Sequence, residues 1–255
     1  MGRLDSDVTR PLGPTRRNDL DQEVGTPVCY PGATAPRPLS LQGATCRLEP
    51  LGREHAADLL AAVRSVGGDQ LWTYLPFAPC RTDAEFADLL DDLSTDGTRT
   101  CFAVVPTTSS AAGRRGRAAG MAALQRVDAR MGTIEVAFVF FGDGVRRATP
   151  GTEAHYLLAR HVFDDLGFRR YEWKCDALNA DSRRAAARLG FAFEGIWRNA
   201  VIVKGRTRDT AWYAMTDGDW AGLKPGYGAW LADADSRGVR PLAVALAQGY
   251  RRPVA

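Results

Sequence analysis

Apolar residues recur along this chain in two alternating rhythms. Arg53 to Val66 sets Ala56, Leu59, Leu60 and Val63 at i, i+3, i+4, i+7, which predicts an amphipathic helix. Asp83 to Ser94 repeats the pattern with Phe86, Leu89, Leu90 and Leu93, and Thr152 to Asp165 with Ala154, Leu157, Leu158 and His161. Asn179 to Leu189 reads as a fourth helix, stopped by Gly190 at the left-handed position where glycine is favoured. The other rhythm has period two. Arg170 to Asp176 alternates Tyr171, Trp173 and Cys175 against Glu172, Lys174 and Asp176, the signature of a strand. Thr45 to Leu51, Thr100 to Val105, Ala119 to Val127, Thr133 to Phe141, Phe191 to Ile196 and Thr207 to Met215 read as further strands. The order β, α, α, β, β, β, α, β, α, β, β predicts an α/β domain built on a mixed sheet with helices on both faces.

The flanks lack this order. Residues 1–43 hold six of the fourteen prolines and no periodicity, and read as a flexible or loosely docked arm. The domain spans 44–217, and 218–255 form a C-terminal extension with short helical signals at Tyr227 to Leu231 and Ala243 to Gln248. Residues 106–117 read as a loop between strands. With 45% hydrophobic and 25% charged residues in 255, the composition is that of a soluble globular protein. No run approaches the roughly 18 apolar residues of a membrane helix, and the N-terminus lacks a secretory core, so a cytoplasmic protein is expected. The one lipidation signal, Gly2 with Ser6, is a short pattern that matches by chance.

Five scattered cysteines with no CxxC pair argue against a zinc site or a disulfide framework, and no metal is expected. Cys101 and Cys175 fall in strand-like runs, where free cysteine acts as a small hydrophobe. Net charge is only +3, yet arginines cluster at Arg114–Arg117, Arg146–Arg147, Arg169–Arg170, Arg183–Arg184 and from Arg198 to Arg208. Most fit solvated faces. The pair at 146 and 147 is different, because it precedes a predicted helix start. There Thr149 suits the N-cap and Pro150 the first helical position, so unpaired amides face a basic loop. That arrangement suits a pyrophosphate, and equally describes an ordinary capped helix beside exposed arginines. Asn179 is a second cap, with Ser182 in the first turn behind it.

The runs LEPL at 48–51, IEVAFVF at 134–140, TEA at 152–154, NADSRRAAARLGFAFEG at 179–195 and RDTAWYAM at 208–215 resemble the GNAT acyltransferases. The similarity is greatest to the branch that includes the ribosomal-protein alanine acetyltransferases, and it covers residues 45–216. It implies a mixed, mostly antiparallel central sheet. It also implies that the strand carrying Phe138, Val139 and Phe140 splays from its neighbour and pairs with the pantetheine arm of acetyl-CoA or another acyl-CoA. The loop Arg146, Arg147, Ala148, Thr149 and Gly151, with Thr152 after it, would bind the pyrophosphate, and Asn179 and Ser182 would lie near the thioester. Two departures stand out. Arg147 and Thr149 occupy places where the family commonly has glycine, and Ala186 stands where many members carry a tyrosine general acid.

Amide formation from a thioester needs a base, because an alkylamine is mostly protonated near neutrality. Glu135 is the lone charged residue in its strand and must be paired or functional. Glu135 and Ser182 are therefore the candidate catalytic residues, with His155 the first alternative base; His161, on the apolar face, reads as a core histidine. The aromatic loop LWTYLPFAP at 71–79 offers Trp72, Tyr74 and Phe77, with Glu135, as an acceptor wall or as core closure. The expected activity is N-acylation of a primary amine on a small molecule or peptide by a monomer or homodimer. An aminoacyltransferase using aminoacyl-tRNA and a non-catalytic binding module of the same fold are the alternatives.

Overall fold

The computed structural model describes residues 15–65, 67–107, 116–234, and Leu242, Ala245 and Leu246. Ten strands and five α-helices follow one another. A small hairpin, β1 (Thr15–Arg17) and β2 (Glu23–Gly25), precedes β3 (Leu41–Gln42) and β4 (Cys46–Pro50). Then come α1 (Ala56–Ser65), α2 (Asp83–Thr95), β5 (Arg99–Pro106), β6 (Gly120–Asp128), β7 (Thr133–Phe141) and α3 (Thr149–Arg160). β8 (Arg170–Asp176), α4 (Ala180–Arg188), β9 (Ala192–Val203), β10 (Arg206–Thr216) and α5 (Asp217–Ala234) follow among the described residues. The eight-stranded sheet has the order β3-β4-β5-β6-β7-β8-β10-β9. Every join is antiparallel except β7 with β8. The fold is thus α/β, with a mixed, mostly antiparallel sheet.

Two apolar cores sandwich that sheet. Leu59, Leu60 and Val63 of α1 and Phe86, Leu90 and Leu93 of α2 pack one face against Cys101, Ala103, Met121 and Ala123. Leu157 and Leu158 of α3 join Ile134, Val136, Tyr171 and Trp173 on the other. On β8 the period-two pattern is realised: Tyr171, Trp173 and Cys175 are buried and their neighbours half-buried. All five cysteines are free. No helix among the described residues is long and apolar enough to cross a membrane.

Both flanks pack more closely than their sequences suggest. In the arm, the Tyr30 hydroxyl donates to the Gly167 carbonyl at 2.9 Å, Ala33 N to Ala129 O at 2.8 Å and Thr34 N to Leu166 O at 2.9 Å. Proline removes periodicity but not the ability to dock through backbone bonds, so the described part of the arm is not a loose one. At the other end α5 runs eighteen residues through Pro225. Its Trp220, Leu223, Tyr227 and Trp230 form a buried stripe at spacings of three and four, within the same core as α3. It belongs to the domain rather than extending it. The helix signal at Ala243 to Gln248 falls largely, and the Gly2 motif and Arg114–Arg115 wholly, outside the described residues.

Candidate active site

β7 and β8 pair in parallel only from Thr133–Val136 with Arg170–Trp173. Beyond Val136 the strands part, and residues 137–141 have no ladder partner on the β8 side. A bulge assists the separation: the register with β6 shifts between Met121 and Ala123, and Phe138 opposite has φ +50°. Bulges re-aim a strand at the expense of one ladder position. Phe138 turns onto the 71–79 loop, stacking on Phe77 at 5.5 Å, with the Arg99 guanidinium 4.9 Å from its ring centroid.

The gap widens into a cleft of about 1100 Å³, lined by β7, the 145–152 loop, the end of β8 and the start of α4. Glu135, Phe138, Val139, Phe140, Arg146, Arg147, Ala148, Thr149, Gly151, Thr152, Asn179, Ser182 and Tyr74 all line it. Trp72 and Phe77 do not. They border a small apolar void behind the wall, where Trp72 is buried edge-on against Phe86 at 6.1 Å. Of the aromatic loop, therefore, Tyr74 reaches the cleft, and its hydroxyl donates to Leu178 O at 3.2 Å.

The start of α3 lies one residue earlier than its sequence suggests. Ala148 is the N-cap, Thr149 and Pro150 follow inside the helix, and no side chain caps it. Extended backbone at Ala148 lets the turn begin before Thr149 does. Arg147 adopts φ +56°, the left-handed conformation that a glycine would take without strain. The loop thus keeps the glycine-type turn even though the glycine is absent. Gly151 is required: a Cβ there would lie 2.4 Å from the Val145 carbonyl oxygen. Uncapped amides, a close-packed glycine and the basic loop together fit a phosphate-bearing ligand. The first turn is anchored from below by Glu153. This buried carboxylate accepts from Ala44 N at 2.7 Å, Thr45 N at 2.6 Å, Thr45 Oγ1 at 2.6 Å and Cys46 N at 2.9 Å.

At the cleft floor Glu135 is 5% exposed. Oε1 accepts from Gln125 Nε2 at 3.0 Å, Oε2 accepts from Lys174 Nζ at 3.0 Å, and Arg126 Nε lies 3.5 Å from Oε2. Lys174 also contacts Glu172 at 2.7 Å and stands 3.9 Å from the Trp212 ring centroid. Glu135 is both paired with cations and open to the cleft. Lys174 and Gln125 were invisible as site residues, because alternation along each strand marks them only as polar-face positions. The parallel register that sets Glu135 opposite Glu172, with Lys174 two residues on, is a tertiary fact.

Ser182 accepts from Trp173 Nε1 at 2.9 Å, and its backbone N donates to Asn179 Oδ1 at 3.0 Å, so Asn179 caps α4. His155 is buried between Phe141 and Trp173, with Nδ1 unpartnered. Burial, reinforced by Arg188, pulls its pKa down to about 3. An imidazole so reluctant to take a proton is unsuited as the base, contrary to the sequence expectation. His161 is buried, with Nδ1 2.8 Å from Asp165 Oδ2. Among the described residues no cluster of three or more metal-ligating side chains occurs.

The profile of the family described as "Acetyltransferase (GNAT) domain" matches residues 46–192. This chain belongs to the GNAT acetyltransferases. It is 39% identical to a GCN5-related N-acetyltransferase from Brucella melitensis, with a TM-score of 0.79 over 85% of this chain and 97% of that one. A probable GNAT-family acetyltransferase from Chromobacterium violaceum is 31% identical, with a TM-score of 0.69 over 83% and 99%. A Salmonella typhimurium acetyltransferase, described as modifying the N-terminal serine of a 50S ribosomal protein, shares the fold at 16% identity. Its TM-score is 0.58, over 70% of this chain and 99% of its own. A comparison with curated proteins finds no match. The GNAT family uses acetyl-CoA.

Proposed function

We propose that this acetyltransferase transfers an acetyl or other acyl group from acyl-CoA to the primary amine of a small molecule or peptide. The observation that carries the reading is the parting of β7 from β8 beyond Val136, which opens onto the uncapped first turn of α3. Bound acyl-CoA supplies an activated thioester carbonyl. The chain's own residues do the rest. The unpaired edge of residues 137–141 offers main-chain hydrogen bonds to an extended arm, in the manner of an added strand. Amides of the 147–152 turn, with Arg147, hold the diphosphate. Backbone N–H groups beside the Phe138 bulge are positioned to polarise a carbonyl. Glu135, on the same cleft floor, takes a proton from the incoming ammonium directly or through water, and Lys174 and Gln125 hold its carboxylate in place. With Ala186 in place of a tyrosine, the hydroxyl of Ser182 is the nearest candidate to protonate the departing thiolate.

Two measurements test this together. Coenzyme A should raise the melting temperature, since a ligand bound only by the folded state stabilises it. Glu135→Gln should keep that shift while lowering kcat on a reactive amine by roughly a hundredfold or more. A Glu135→Gln kcat equal to that of the wild type across pH 6 to 9 removes Glu135 from the mechanism. No shift with millimolar coenzyme A, alongside salt-sensitive tRNA binding, replaces the donor with aminoacyl-tRNA.

A further inference from the structure

Most cations lining the cleft are already matched to anions of the protein. Lys174 lies against Glu135 and Glu172, Arg146 is 3.6 Å from Asp181, and Arg184 pairs with the same aspartate. Three arginines have no such match among the described residues. Arg147 belongs to the turn before α3. Arg188 donates to Thr152 Oγ1 at 3.1 Å, in the first turn of α3, and desolvation lowers its pKa. Both therefore border the α3 start, where the proposed donor's phosphates supply negative charge. Arg208 is elsewhere. It flanks the cleft beside the last residues of β8: Thr210 pairs with Asp176, and Ala177 N donates to Asp209 O at 2.9 Å. This is also the part that the aromatic loop reaches, where the Tyr74 hydroxyl meets Leu178 O.

Arg208 is half-buried, and its Nε is fully covered without a hydrogen-bond partner among the described residues. A covered donor left unmet is costly unless a ligand meets it. A guanidinium is built to give paired hydrogen bonds to a planar or tetrahedral oxyanion, and a small rotation of its stem would offer Nε and Nη together. Arg208 stands on the same strand as Trp212, which stacks on Lys174, the partner of Glu135. Four residues of strand separate Arg208 from Trp212, about 13 Å of backbone. The donor's phosphates are accounted for at the α3 start by Arg147 and Arg188. We propose that Arg208 holds an anionic group of the acceptor, so that the substrates are amines that also carry a carboxylate or phosphate several bonds from the reacting nitrogen. This rests on the acyl-CoA reading above and adds the acceptor class to it.

The test uses matched acceptors with acetyl-CoA: lysine against lysinamide, acidic peptides against their amides, and O-phosphoethanolamine against ethanolamine. The wild type should favour the anionic member by roughly 10- to 100-fold in kcat/KM. Whether the acid pairs or the phosphate pair shows the preference identifies the anion. Arg208→Gln should bring that ratio close to one through KM, and Arg208→Lys should retain part of it. In both variants the melting shift with coenzyme A should persist, which shows that the fold and the donor end are intact. Equal use of neutral and anionic acceptors by the wild type overturns the inference, as does a ratio unchanged in Arg208→Gln. Turnover confined to uncharged amines overturns it too. A wild type that gives no shift with coenzyme A overturns the donor reading, and this inference with it, and is recognised before any acceptor is tried.

Discussion

His155 shows how burial decides the chemistry of a single side chain. On the sequence it is a titratable group in the first turns of a helix. In the fold it lies between two aromatic rings with an unpartnered Nδ1, and burial lowers its pKa to about 3. An unfolded histidine titrates near 6.5. Between those values the unfolded chain binds a proton that the folded chain refuses, so stability is full above about pH 6.5 and falls as pH drops towards 3. The loss between pH 6.5 and 5 should be roughly 2 kcal/mol. Urea midpoints at pH 7 and pH 5, compared with those of His155→Leu, measure it. The variant should lack this component, and an identical acid sensitivity in both proteins contradicts the assignment. Glu135 is the converse case. It is as buried as His155, but Gln125 and Lys174 meet its oxygens, so a charge can persist on the floor of the cleft.

Helix α3 shows what an element gains from its neighbours. No side chain caps its first turn, where Pro150 carries no N–H and Gly151 N donates to Ala148 O at 3.2 Å, and a helix start so lightly held needs support from elsewhere. Glu153 provides it by gathering three backbone amides and a hydroxyl from the β3–β4 turn. Glu153→Ala strands those donors in a buried site, at about 1–3 kcal/mol for each. It should therefore lower stability severely, by roughly 3–5 kcal/mol, as loss of one partner of a buried charged network does. Glu153→Gln, which keeps one acceptor oxygen, should fall between the two. Denaturant unfolding is the measurement, and an alanine variant within 1 kcal/mol of wild type rules out the anchoring role. The sequence held the TEA signature of this turn but not its partner, which lies 107 to 109 residues away.

At the scale of the whole molecule, α5 closes the core on the α3 side. Trp220 Nε1 donates to Asp164 Oδ1 at 2.9 Å, and the Tyr227 hydroxyl to Leu189 O at 2.8 Å. Trp220, Leu223, Tyr227 and Trp230 are each less than 7% exposed. Full burial of such side chains contributes about 1.5–3 kcal/mol apiece, and their sum is comparable with the stability of an entire domain. A chain ending at Thr216 should therefore fail to fold cooperatively. Circular dichroism with thermal melting checks this, and a sharp transition within a few degrees of the full chain would show α5 to be dispensable. The stripe was legible at spacings of three and four, but Pro225 and the glycines around it hid a helix that tertiary packing sustains.

Local patterning by itself determined the element order from β4 to β10, the alternation of β8, the cap at Asn179 and the lone acidic position of β7, because these depend on neighbours within a few residues. The family resemblance added an expected place for the donor. What only the tertiary structure decided depends on register and contact between distant segments. That covers the parting of β7 and β8 beyond Val136, the pairing of Glu135 with Lys174, the glycine-like turn at Arg147 and the unmatched charge of Arg208. Hydrophobic periodicity fixes which side of an element faces inward. Which groups meet once two such faces are brought together follows from strand order and burial, and the chemistry of this cleft resides in those meetings.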